Sequence, residues 1–150
     1  MDDKLKEKIE HEIFRMNKLF DSGKPLLDLC KIKEPDFVEL SAAGSFLQSF
    51  YNGSESIILL IFKSIKENIP NDLHWHKKLF EKTFETNGKR TAIFKNEYKE
   101  QFAEYLSFRH YFRHSYGYEI DWGRLKPLIN DVEKLWETLE EDINKFVKNN

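Results

Sequence analysis

The sequence predicts an all-α fold, a bundle of four main helices with one or two short helical pieces. Three observations predict it. Apolar residues recur at steps of three and four almost throughout the 150 residues, the spacing of one helix face. No alternating, β-branched segment competes with that pattern. Thirteen Phe residues can fill a core between helices, while the 33% charged residues of both signs suit ion-paired solvent faces.

Leu5, Ile9, Ile13, Met16 and Leu19/Phe20 form the first stripe, which "DSGKP" is expected to end, with Leu26 to Cys30 as a short extra helical piece. The second stripe runs through Phe37, Leu40, Ala43, Leu47, Phe50, Ser54, Ile57/Ile58, Ile61 and Ile65. It crosses "YNGSES", where Asn-Gly ordinarily marks a turn. Because the apolar phase is the same on both sides, one helix over about 36–68 is expected, despite about 1 kcal/mol of propensity lost at Gly53. A glycine kept there suggests a backbone or bulky ring packed close. A shorter helix over 73–86 turns Trp75, Leu79, Phe80 and Phe84 inward, and "ETNGKRTAIF" reads as a loop. Asn96 is the expected N-cap of a helix with the stripe Tyr98, Phe102, Tyr105, Phe108 and Phe112, broken at Gly117. Asp121 caps the last helix, whose stripe is Leu125, Leu128/Ile129, Val132, Leu135/Trp136, Leu139, Ile143 and Phe146. Pro127 implies a late start or a kink. Residues 1–150 read as a single domain.

The longest apolar run, "IILLIF", is far below a membrane span, and "MDDKLKEKIE" lacks the pattern of a signal peptide. One cysteine, Cys30, cannot form an internal disulfide. The chain therefore reads as cytoplasmic, with no membrane partner. A net charge of −2 argues against nucleic-acid binding over the whole surface. Its distribution is uneven: residues 63–114 carry 11 basic and 7 acidic groups, and four of the five histidines fall there. Such a segment either focuses an anionic ligand or is an ordinary fluctuation in charge.

"FRHYFRHSYGY", residues 108–118, holds two arginines, two histidines and five aromatics. On a continuous helix Arg113 and Tyr116 lie within about 40° of Arg109, with His110 and His114 at about 100° and 140° and the aromatics opposite. This is either a polar platform backed by rigid rings, or cations in a last helical turn gaining from the helix dipole. The i, i+4 histidines have a chelating spacing, but no Cys or clear carboxylate completes a set and the arginines would repel a cation, so no metal or other cofactor is assigned. Phosphate chemistry suits the residues better. Arginine offers a planar fork and positive charge, and histidine exchanges protons near neutral pH. RNA supplies its own nucleophile, the 2′-hydroxyl, leaving the protein to provide base, acid and charge.

Arg109 to Tyr116 reads R-x-x-x-x-H-x-Y and resembles the signature of the HEPN superfamily, specifically HepT-like ribonuclease toxins. "FLQSFYNGSE" (46–55), "LHWHKKLF" (73–80) and "FRHYFRHSYGYEIDWGRL" (108–125) are similar to members of that group, and the resemblance covers roughly 36–146. It implies an antiparallel up-and-down bundle and a homodimer whose two motifs share one cleft. By the same resemblance Arg109 holds the phosphate of an RNA substrate and His114 transfers protons, with His110 and Tyr116 supporting; Arg113, which makes the motif more basic than in many members of that group, is a further supporting residue. The expected function is then a metal-independent endoribonuclease toxin. Its partner would be a nucleotidyltransferase-type antitoxin; in some members of the group such a partner places AMP on the matching tyrosine, so Tyr116 is either a modification target or a phenol capping the end of the bundle. The other reading is a non-catalytic helical subunit that binds such a nucleotidyltransferase or a nucleotide. Asn52 and Glu55 either orient Arg109 or form a helix-surface pair. "HWH" (74–76) is expected to anchor a loop through Trp75, and His11 to be exposed.

Overall fold

The predicted stripes meet in one core of 32 buried apolar residues drawn from every helix. A computed structural model describes residues 1–150 and contains α1 (Asp3–Ile32), α2 (Phe37–Ser64), α3 (Trp75–Thr83), α4 (Lys99–His114) and α5 (Trp122–Asn149), with 3-10 turns at Asn96–Tyr98 and Gly117–Glu119. Contacts fix their directions. Met16 packs on Gly53 and Phe46 on Gly23; Phe50 meets Tyr105 and Gly44 meets Phe112; Tyr105 donates to the Leu128 carbonyl and Arg124 to Ser107; the Met1 ammonium donates to the Asn150 carbonyl and Trp136 to Asn17. Numbers rise along one helix as they fall along its neighbour, so α1/α2, α2/α4, α4/α5 and α1/α5 are antiparallel. No helix is long and apolar enough to cross a membrane.

"DSGKP" does not end the first helix: α1 runs unbroken through Pro25 and absorbs Leu26–Cys30. Pro25 forfeits only the bond to the Asp21 carbonyl, and both residues are exposed, so water satisfies that group. Leu27 and Cys30 are buried in the core, and their packing outweighs the proline penalty. Burial also pushes the Cys30 thiol up, which suits an inert core residue.

α2 is continuous through Asn52-Gly53. The neighbour that needs a glycine is neither backbone nor ring but the Met16 thioether, which occupies the space of a Cβ. Asp36 and Glu39 form a reciprocal capping box at its start. Its end comes earlier than the stripe implied. Lys66 takes a left-handed φ of 59°, while the amides of Lys66 and Glu67 donate to the Lys63 and Phe62 carbonyls at 3.2 and 2.9 Å. That is a Schellman stop with lysine where glycine is usual.

α3 is shorter than expected. The loop after it is held by Arg90, which is buried and donates to the Glu67 carboxylate (2.8 Å) and the Glu85 and Lys82 carbonyls (2.7 and 2.8 Å). Asn96 opens a 3-10 turn and makes no side-chain cap bond. The anchor is Tyr98, whose hydroxyl bonds the buried Asp142 carboxylate; that carboxylate also accepts from the Lys95 amide at 3.1 Å. Asp121 caps α5 as expected, and α5 starts at Trp122 and runs through Pro127 rather than starting late. Phe37 departs from its stripe: it is 61% exposed, beside Val38 at 72%.

Gly53→Leu should destabilise the fold by about 1–3 kcal/mol, because the new side chain overlaps Met16; a denaturant titration reads this. Lys66→Gly should raise stability by about 0.5–1 kcal/mol in the same assay, by removing the cost of a left-handed lysine.

Candidate functional site

The rotation of α4 about its axis decides which side chains form the site. Tyr105 packs edge-on against Phe50 with centroids 5.2 Å apart and donates its hydroxyl to the Leu128 carbonyl at 2.7 Å. Burial drives that phenol well above its ordinary pKa, so it remains a neutral donor. Phe108 stacks on Phe112 at 5.7 Å. Phe112 in turn lies over Gly44 of α2, where a Cβ would stand 2.5 Å from the ring. With these rings seated, Arg109, His110, Arg113 and His114 are left on the other side of the last turns of α4.

Arg109 is half-buried, and its Nε donates to Asn52 Oδ1 at 2.5 Å. None of the chain's ion pairs includes Arg109, Arg113, His110 or His114. The guanidinium is therefore fixed through one nitrogen, and its two terminal nitrogens have no partner within the chain. His110, Arg113 and His114 are exposed. The two imidazoles lie 4.7 Å apart, centroid to centroid, and no third Cys, Asp or Glu joins them as a metal-binding group. The helix C-terminus favours the Arg113 charge in its last turn, since its unpaired carbonyls carry partial negative charge.

Asn52 and Glu55 part company. Asn52 is exposed and holds Arg109. Glu55 is not a surface residue but buried, and its Oε2 accepts from His76 Nδ1 at 2.8 Å. The His76 ring lies against Trp75 at 3.6 Å. Tyr51, one position before Asn52, is buried with both charges near it. Burial pushes its phenol far up, the Glu55 charge adds to that, and the Arg109 charge opposes it. His76 is the residue that sequence reasoning missed: within "HWH" it reaches a partner 21 positions away, which helical spacing does not reveal. His11 is exposed, as expected.

Tyr116 lies off the helix that the wheel assumed. α4 stops at His114, and Ser115 is already extended (ψ 146°). The break precedes Gly117, which has no positive φ. Tyr116 instead opens the following turn: its amide donates to the Glu119 carboxylate at 2.7 Å and its carbonyl accepts from the Glu119 amide at 2.9 Å. Its phenol is 72% exposed, close to Tyr118. The Tyr111 hydroxyl bonds the Glu119 carbonyl and its ring lies under the Arg124 guanidinium at 4.4 Å, tying this turn to α5.

The two largest concavities lie apart from the motif. One, about 570 Å³, is bordered by Phe84, Phe94, Asp142 and Phe146. The other, about 520 Å³, lies between α1 and α2 and touches the motif only through Asn52. The Arg-His face is thus an open surface on the single chain. Chemically it presents one oriented arginine fork and two exposed imidazoles, none of them paired with a carboxylate, a set complementary to a phosphodiester.

No curated protein and no solved structure matches the chain. The sequence profile of the family described as HepT-like protein matches residues 42–150, a span that starts early in α2 and includes α3, α4 and α5. The chain belongs to the HepT-like family of the HEPN superfamily.

Proposed function

We propose that the protein is a metal-independent endoribonuclease, the toxin of a toxin–antitoxin pair. The observation that supports this reading best is the Arg109 guanidinium: it is held by Asn52 through Nε and leaves its terminal nitrogens unpaired, with an exposed His114 five residues on along the same helix. In this reading the two terminal nitrogens grip the non-bridging oxygens of the scissile phosphate and stabilise the charge gained as phosphorus becomes five-coordinate. An imidazole takes the proton of the 2′-hydroxyl, whose oxygen attacks phosphorus. The P–O5′ bond breaks, and the departing 5′-oxygen receives a proton from a second imidazole. The products are a 2′,3′-cyclic phosphate and a 5′-hydroxyl.

Base and acid come from His114 of two protomers, with Arg113 adding positive charge at the phosphate and His110 in a supporting role. A two-fold pairing that brings the motifs together suits the open Arg-His face. It also suits the exposed apolar Phe37 and Val38 beside it, because the Phe37 ring packs at Gly117, just past the motif. The exposed Tyr116 phenol is accessible to a nucleotidyltransferase antitoxin, and AMP there would add negative charge just past the end of the helix that carries Arg109 and His114.

Purified protein should cleave RNA in EDTA and leave cyclic phosphate ends. His114→Ala and Arg109→Ala should each lower the cleavage rate by about 10²–10⁴-fold, and Asn52→Ala by a smaller factor. Equal cleavage by wild type and His114→Ala would remove the catalytic assignment. The pairing has its own check: Phe37→Asp with Val38→Asp should shift sedimentation from twice 18.0 kDa to the single chain and abolish cleavage.

A further inference from the structure

Glu55 stands three residues beyond Asn52 on α2, so the two side chains are neighbours on one helix face. Arg109 reaches that face to bond Asn52. A carboxylate there is a natural partner for an unpaired guanidinium, and a bidentate Arg109–Glu55 pair would consume the two nitrogens that phosphate binding requires. That pair is not formed. Glu55 is buried and bonded instead to His76 Nδ1 at 2.8 Å, on the side of α3, and the stacked Trp75 ring at 3.6 Å fixes the imidazole plane.

We propose that His76 is a positioning residue: by occupying Glu55 it keeps the carboxylate turned toward α3 and the Arg109 fork open for an RNA phosphodiester. The role rests on the ribonuclease reading and deepens it, since His76 touches neither RNA nor the reacting atoms. It assigns different duties to two neighbours on α2. Asn52 holds the guanidinium by a neutral bond that leaves its charge uncompensated, whereas Glu55 is the competitor that must be kept engaged elsewhere. A purely structural reading, in which His76 only fastens α3 to α2, makes a different prediction for the paired variant below.

The test is the affinity of the full chain for a fully 2′-O-methylated, uncleavable RNA at one fixed salt concentration, with cleavage of the unmodified RNA measured in parallel. His76→Ala should weaken binding and slow cleavage by about tenfold, and adding Glu55→Gln to it should recover most of both, because the amide no longer competes for Arg109. His76→Gln, which can still donate to Glu55, should behave as wild type; it serves also if His76→Ala melts early by circular dichroism. If the wild type neither binds nor cleaves RNA, the ribonuclease reading falls and this role falls with it. If the wild type is active but His76→Ala equals it, or the double variant is as weak as His76→Ala, or a folded His76→Gln is equally weak, only the positioning role is overturned.

Discussion

The seating of the aromatic face of α4 on α2 is the constraint from which the rest follows. Phe112 over Gly44 and Tyr105 against Phe50 fix two contacts about two turns apart along α4, enough to set both its rotation and its height. The Tyr105–Phe50 aromatic pair contributes about 0.5–1.5 kcal/mol beyond the area it buries. Once both contacts are made, Arg109 arrives opposite Asn52, and the polar residues of the last turns have nowhere to go but outward. A shift of one residue in this packing would carry Arg109 about 100° round the helix and away from Asn52.

The treatment of charge elsewhere in the molecule sharpens the meaning of this face. Arg90 is buried and fully engaged, by Glu67 and by backbone carbonyls. Burial alone would raise the Glu67 carboxyl, but the bonds from Arg90 and Asn87 hold it below its ordinary value. Asp142 is satisfied by Tyr98 and Lys95. Buried ions in this fold are paired, as the desolvation penalty demands. Arg109 is half-buried and has only a neutral partner, with Arg113 and two histidines beside it. Leaving a partly desolvated guanidinium without a carboxylate costs stability, a cost that the proposed phosphate-binding role would explain.

Much of this was legible in the sequence because it rests on periodicity. The α5 stripe is buried at every position named, from Leu125 to Phe146, and α2 passes through Asn-Gly because its apolar phase does not change. Failures arose where tertiary packing overrode local chemistry. Core burial of Leu27 and Cys30 carried α1 through a proline, and the left-handed Lys66 stopped α2 with no glycine to announce it. The candidate site divides the same way. Arg109, His110, Arg113 and His114 share a helix and could be placed by angle alone, whereas Tyr116 could not, since the helix ends before it. The His76–Glu55 bond joins two helices through a loop of irregular length, and no spacing rule reaches across it.

In the proposed ribonuclease, an oriented, uncompensated Arg109 and the His114 five residues beyond it receive an RNA phosphate. The most direct measurement is a crystal structure of the protein with a 2′-O-methylated RNA. A phosphate is expected within hydrogen-bonding distance of both terminal nitrogens of Arg109, with the Arg109–Asn52 bond intact and His114 side chains flanking the phosphorus. RNA bound on another face, or Arg109 paired with a carboxylate while RNA is present, would contradict this reading.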